Sequence, residues 1–187
     1  MTIDFGLVRL VSIGSTVFYD DNNNGLRDPG EESLGTKTDG KAVEIELFDA
    51  STGELVAVTT TDANGSYIFQ NLLPGDYFVQ FMPPASAPVS SGPTNTSDDQ
   101  TDDDDNGSQQ DTNGDGLTDG LITSPVINLA PNAEPTGEPG KNGGKDTDVD
   151  DFGDMTIDFG LVRLVSIGST VFYDDNNNGL RLSLIHI

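Results

Sequence analysis

The 27 residues MTIDFGLVRLVSIGSTVFYDDNNNGLR occur twice, unchanged, at 1–27 and at 155–181. The two copies start 155 − 1 = 154 residues apart, so the chain reads as a window on an array with that period. Whatever unit folds must therefore be complete within one period, with its last element passing almost directly into the first element of the next. On this basis residues 1–10 are the last strand of a preceding unit and 11–164 one complete unit. Residues 165–181 are the first strand of a following, truncated unit. Where the first copy continues as DPGEE, the second reads LSLIHI, without turn residues or acids, so 182–187 reads as translated adaptor sequence. The terminal pieces lack partners of their own, and either copy of TIDFGLV suits one and the same slot.

Within the unit the periodicity is that of strands. VEIELF alternates Val43, Ile45 and Leu47 with Glu44 and Glu46, one face for a core and one for water. ELVAVTTT and SYIFQ flank DANG, whose Asn64 and Gly65 suit the positive φ of a tight hairpin turn. GDYFVQF follows LLPG and sets Tyr77, Val79 and Phe81 on one side; GLITSPVINL and MTIDFGLV complete the set. No stretch has helical periodicity. About seven short strands punctuated by Gly and Pro predict an all-β fold, an antiparallel β-sandwich with long acidic loops. The Pro, Ser, Thr and Asp-rich segment 83–119 reads as one such loop, either functional or disordered.

Charge and residue inventory narrow the chemistry. Eight Lys+Arg against 32 Asp+Glu give a formal net charge of -24, which repels nucleic acid and anionic membranes and makes cations the natural partners. At 187 residues and 34% hydrophobic content the chain has enough for one core. There is no cysteine, hence no disulfide or thiolate site. Apolar stretches are broken early, as by Arg9 in FGLVRLVSIG, so no membrane insertion is expected, and no segment reads as a signal peptide. The only histidine is His186, which removes Ser/His/Asp, Cys/His and His-based zinc chemistry. A carboxylic general acid needs an apolar pocket, whereas these acids sit among Gly, Asn and Ser, where solvation or metal binding is expected. The chain is therefore not expected to be an enzyme.

The stretch DDNNNGLRDPGE fits a twelve-residue calcium loop starting at Asp20. Asp20, Asn22 and Asn24 take positions 1, 3 and 5, and Gly25 takes position 6. Leu26 offers its carbonyl at 7, Asp28 follows at 9 and Glu31 at 12. Calcium needs six to eight oxygens around a sharp bend, and turn chemistry alone does not require an acid at position 12. A strand enters this loop and Pro29 opposes a helix leaving it, so the context is not an EF-hand. The alternative is a polar inter-strand loop whose Asn and Gly merely serve turns.

DTNGDGLTDG repeats the first nine positions with Asp111, Asn113, Asp115, Gly116, the Leu117 carbonyl and Asp119, but position 12 is Ile122. Just upstream, DDDDNG sets Asp102, Asp104 and Asn106 at alternate positions, with Asp111 available to both groups; downstream DTDVDD offers Asp146, Asp148 and Asp150. For these runs a solvated acidic loop is the competing reading. Six aspartates among residues 98–105 repel one another, so a loop ordered there wants a cation.

SIGSTVFYDDNNNGLRDPGEE, TTTDANGSYIFQNLLPGDYFVQF and MTIDFGLV together resemble the B-type repeat of serine-aspartate repeat surface proteins, the SdrD B-like domain, related to collagen-adhesin B-type domains. The resemblance spans nearly the whole unit. It implies a prealbumin-like or immunoglobulin-like sandwich, calcium (Ca2+) in the loop after the first strand and in later acidic loops, and tandem repeats that hold an adhesive region away from a bacterial surface. ESLGTKTDGKA and the 83–119 loop are longer than that pattern. Some such domains carry Lys to Asn crosslinks; the first and last strands here contain no lysine, so none is expected.

Two functions are then weighed. One is a calcium-binding stalk or spacer repeat of a secreted or cell-surface protein, with calcium ions and neighbouring repeats as partners. The other is an adhesive module that recognises an extracellular ligand, a host protein or a glycan. With no Trp and the Tyr and Phe mostly at core positions, the second has little support.

Overall fold

A computed structural model describes residues 3–35, 42–94, 101–116, 118–135, 152–169 and 173–174. All four lysines, the aspartates at 146, 148 and 150, and the tail at 182–187 lie outside these residues. The strands are β1 (Val11–Tyr19), β2 (Glu44–Asp49), β3 (Leu55–Thr60), β4 (Ser66–Leu72), β5 (Gly75–Phe81), β6 (Val89–Ser90), β7 (Ser108–Gln109), β8 (Ile122–Thr123), β9 (Ile127–Leu129), β10 (Gly153–Asp154) and β11 (Phe159–Val162). Among the described residues there is no α-helix, as the alternating pattern predicts.

Two sheets pack face to face. In one, β1 pairs antiparallel with β4 and parallel with β10 and β11, and β6 closes beyond β11. The other runs β3-β2-β5-β8-β7, with β9 also on β5. The alternation in VEIELF comes out as expected: Val43, Ile45 and Leu47 are buried, as are Tyr77, Val79 and Phe81 of β5. All nine residues of β1 are buried, because it lies inside its sheet rather than at an edge. Phe159 of β11 joins the two layers. Its ring lies 6.1 Å from that of Tyr67 on β4 and 5.0 Å from that of Phe81 on β5, within the range of favourable aromatic pairs.

Several sequence expectations are corrected. First, DANG is not a hairpin turn between paired strands, since β3 pairs with β2 while β4 pairs with β1. Gly65 has φ 76° and its N–H meets the Asp62 carbonyl at 3.1 Å, so the chain does reverse, but it reverses between layers. Turn residues fix the reversal and not the ladder that the next strand joins. Second, GLITSPVINL is two strands rather than one, because Pro125 has no N–H for the ladder. Third, the 83–119 segment contains β6 and β7, and Asp104, Asp105 and Asn106 within it are buried rather than solvated. Of MTIDFGLV only Phe159–Val162 is strand; Met155–Asp158 is buried without ladder pairing.

The two copies of this segment differ completely in surroundings. Phe159 and Leu161 are 0% exposed, whereas their counterparts Phe5 and Leu7 are 87% and 95% exposed. No described residue from 3 to 10 is in a strand. Val165 and Ile167, counterparts of the buried Val11 and Ile13, are likewise exposed.

Candidate metal centre

β1 carries its chain out of the core and delivers Asp20 at the rim, itself 0% exposed. The Asp20 carboxylate accepts the Asn24 N–H at 3.2 Å and the Gly25 N–H at 2.8 Å. Asn22 Oδ1 accepts the Asn24 N–H at 3.1 Å, and Asn24 Oδ1 accepts the Leu26 N–H at 2.9 Å. The amide groups of Asn22 and Asn24 both donate to Asp28 Oδ2, at 2.7 and 2.9 Å. Glu31 closes the loop from its far end: Oε1 accepts the Asp21 N–H at 2.8 Å and Oε2 the Asp28 N–H at 2.9 Å. Asp20, Asn22, Asn24, Asp28 and Glu31 are thus linked within one loop, although among the described residues the carboxylates of Asp20, Asp28 and Glu31 do not lie within 4.8 Å of one another as a group. Leu26 has a half-exposed side chain and forms a bridge with Asp104.

The bend needs residues that tolerate positive φ, and Asn23 (φ 55°) and Gly25 (φ 76°) supply them. Gly25 is required for a second reason: a Cβ there would lie 2.2 Å from the Pro93 carbonyl oxygen. The loop is pressed against the long acidic segment. Arg27 N–H donates to the Asp103 carbonyl at 2.8 Å, Asp105 N–H to the Gly25 carbonyl at 2.9 Å, and Gly92 N–H to Asn23 Oδ1 at 3.0 Å. Between the two lies an open hollow of about 400 Å³, lined by Arg27, Asp28, Pro29, Gly30, Glu31 and Asp103.

Beside this loop the acids converge in a way that alternate spacing does not reveal. Carboxylate oxygens of Asp102, Asp103 and Asp158 lie within 4.8 Å of one another. Asp158, fully buried, comes from the segment between β10 and β11. Its Oδ1 accepts the Ser15 hydroxyl at 2.6 Å and the Thr16 N–H at 3.0 Å, and its Oδ2 accepts the Asp103 N–H at 3.0 Å. Burial pushes its pKa well above the usual carboxylate range; the Ser15 hydrogen bond opposes this and the charges of Asp102 and Asp103 add to it. The neighbouring Asp105 accepts the N–H groups of Gly107 and Gly160, both at 3.0 Å, and burial raises its pKa to about 7. Asn106 is occupied in holding the last strand: its Oδ1 accepts the Asp158 N–H at 2.9 Å, and its own N–H reaches the Asp158 carbonyl at 2.9 Å. Of the predicted trio Asp102, Asp104 and Asn106, then, Asp102 is gathered with Asp103 and Asp158, while Asp104 and Asn106 are buried in the wall behind them.

The second loop makes the same turn in the open. Asp111 accepts the N–H groups of Gly114 at 2.6 Å and Gly116 at 2.9 Å, which lowers its pKa. Asn113 Oδ1 accepts the Asp115 N–H at 2.9 Å, and its amide donates to Asp119 Oδ2 at 2.5 Å. Asp119 Oδ1 also takes the Thr112 hydroxyl at 2.6 Å. Asp111, Asn113, Asp115 and Gly116 are all exposed, and Leu117 lies outside the described residues. Ile122, where the first loop has its closing glutamate, is fully buried in β8 and offers no oxygen from its side chain.

Sequence reasoning missed Asp103, Asp105 and Asp158, and it expected acids in Gly, Asn and Ser context to be solvated or metal-bound. Two of them are buried carboxyls with raised pKa. They are closed off behind Ser15, Thr16 and Gly160 rather than set in a substrate pocket. The donors gathered along this rim are carboxylate and amide oxygens, a set that fits a hard cation such as calcium.

A two-layer β-sandwich with oxygen-rich loops at one rim, set in a 154-residue sequence period, defines a repeat module. Residues 11–124 match the SdrD B-like domain family, and the chain belongs to that family. The match ends before β9, although β11 is needed to complete the first sheet. A 94-residue stretch is 48% identical to Colossin-A of Dictyostelium discoideum, covering 50% of this chain and 1% of that protein. A 102-residue stretch is 33% identical to a fibrinogen-binding protein of Staphylococcus epidermidis, covering 54% of this chain and 9% of the relative. Identity to serine-aspartate repeat-containing protein D of Staphylococcus aureus (strain Newman) is 36% over 102 residues, 54% of this chain and 7% of that one. The chain thus spans less than a tenth of the length of each of these relatives. The family is one of structural repeat domains rather than enzymes.

Proposed function

We propose that this chain is a calcium-binding spacer repeat of a secreted or cell-surface adhesin-like protein, working in tandem with neighbouring repeats. The observation that carries this reading is the convergence of Asp102, Asp103 and Asp158 beside the Asp20–Glu31 loop. Carboxylates so close repel one another whenever they are ionised, and Arg27 lies 3.7 Å from Asp103. Calcium, when bound, supplies the opposite charge and accepts oxygen donors in the number this rim offers. The residues to hold it are Asp20, Asn22, Asn24, Asp28 and Glu31 in the loop and Asp102, Asp103 and Asp158 beside it. Asp111, Asn113 and Asp119 form a second, weaker set.

The chain's own residues translate such binding into stiffness. Asp20 directly follows β1, Asp158 precedes β11, and Asp102 and Asp103 belong to the long acidic segment. Drawing them together clamps that segment across the first and last strands, which are the two through which force passes along an array. We take 11–164 as the complete unit, with 1–10 and 165–181 belonging to its neighbours.

The test is thermal unfolding of the chain with millimolar calcium and with a chelator, alongside Glu31→Ala. Stabilisation by calcium that weakens in the variant is expected. An unchanged melting temperature under all conditions overturns the calcium reading and leaves the loop a polar turn.

A further inference from the structure

The residue that joins consecutive units is an arginine, and the sequence period supplies two views of it. Arg163 directly follows β11, and only Leu164 separates it from the next copy of the first strand. Arg9 is the same residue one period earlier, since 163 − 9 = 154. At the end of the unit, the Arg163 guanidinium donates to Asp21 Oδ1 from Nε at 3.2 Å and from a terminal nitrogen at 2.5 Å. It also lies 4.0 Å from Glu32 and sits over the Tyr19 ring at 4.4 Å. These carboxylates hold its pKa above the ordinary arginine value. At the start of the unit, Arg9 sits over the ring of Phe152 at 5.1 Å.

Each copy thus has one half of an environment that an interior junction would have whole. We propose that the junction arginine is a rivet between units. Its edge is held by Asp21 and Glu32 and one face by Tyr19 of the unit it leaves, while its other face is covered by Phe152 of the unit it enters. This inference rests on the tandem-array reading. Guanidinium suits the role because it is planar, forks toward carboxylates and stacks on rings on both faces. Asp21 also donates its N–H to Glu31, so the rivet is tied directly to the candidate calcium loop. Asp20 N–H to the Leu161 carbonyl, at 3.0 Å, fixes the exit strand against the same loop. The interaction surface is therefore the Tyr19, Asp21 and Glu32 patch, and the partner it fits is the Phe152 rim of the following unit.

The experiment uses this chain extended by one further period, so that two complete units meet at Arg163. The protein has no cysteine, so Glu54→Cys, at an exposed hairpin tip, in both units gives two unique spin-label sites. Distances between them are measured in millimolar calcium. A narrow distribution is expected for the parent. Arg163→Ala and Phe152→Ala in the second unit alone should each lose it, and Arg163→Lys should lie between. If the parent is narrow and both alanine variants are equally narrow, the rivet is wrong and the array reading stands. If Arg163→Ala broadens the distribution but Phe152→Ala does not, the arginine serves its own unit only and the inter-unit contact is refuted. A parent already broad in calcium overturns the rivet and the stiff-spacer reading together.

Discussion

The loops at 20–31 and 111–119 make the same turn in two different settings. Both place positive φ at positions 4 and 6, Asn23 and Gly25 in one, Gly114 and Gly116 in the other. In both, the aspartate at position 1 accepts two backbone N–H groups, and the residue at position 3 accepts an N–H and donates to the acid at position 9. The first loop leaves a fully buried strand and is closed by Glu31. The second stands in water, and where Glu31 would be it has Ile122, which β8 needs for the core. Local sequence thus makes the turn, and the surrounding fold decides how much depends on it.

The largest expected effect separates the two by the sign of their pH dependence. Asp105, behind the first loop, has a folded pKa of about 7 against an ordinary 3.8. Its contribution to stability is full below about pH 4 and is lost as pH rises toward 7. For roughly three pH units that amounts to something on the order of 4 kcal/mol in calcium-free protein. Asp111 has a lowered pKa, so its smaller contribution is present at neutral pH and is lost in acid. Chemical denaturation in chelator at pH 4 and pH 7 checks this: stability should be greater at pH 4. The reverse order would mean that Asp105 is not buried as described.

Next come the glycines at position 6. Gly25→Ala meets both a positive φ and the Pro93 carbonyl at 2.2 Å, and should cost about 2–3 kcal/mol. Gly116→Ala meets the φ alone, with open space around it, and should cost about 1 kcal/mol. Equal melting temperatures for the two variants would contradict the difference in setting. Smaller again is the pair at position 1. Asp20→Ala leaves two N–H groups at a buried site without their acceptor, for about 1–3 kcal/mol. Asp111→Ala frees two N–H groups into solvent, and a smaller shift in melting temperature than for Asp20→Ala is expected.

Much of this was legible in the sequence because it follows from local rules. VEIELF and GDYFVQF bury the residues that their alternation marks, and DDNNNG forms the bend that its spacing implies. What was not legible depends on distant parts of the chain. MTIDFGLV reads as one strand, yet Met155–Asp158 sits outside the ladder so that Asp158 can meet Ser15 and Thr16, 142 residues or more away. In the same way DDDDNG reads as a run of alternate metal ligands or as a solvated loop, because nothing in its own composition announces that Gly25 and Gly160 will cover Asp105. Turn chemistry at DANG encodes a reversal but not a hairpin, since the strand that β4 joins is 50 residues back in β1.

The rim that holds Asp20, Glu31, Asp102, Asp103 and Asp158 is proposed as a calcium site, with the exposed loop at most a weaker one. A calcium titration followed by amide NMR tests it directly, because each loop has its own reporters. These are the N–H groups of Asn24, Gly25 and Asp103 at the rim, and of Gly114 and Gly116 in the exposed loop. Saturable shifts of the first three are expected at calcium concentrations below those that move the last two, with Glu31→Ala abolishing the early phase. If the Asn24, Gly25 and Asp103 signals stay unmoved at millimolar calcium, or move only together with Gly114 and Gly116, the rim is not a calcium site distinct from the exposed loop.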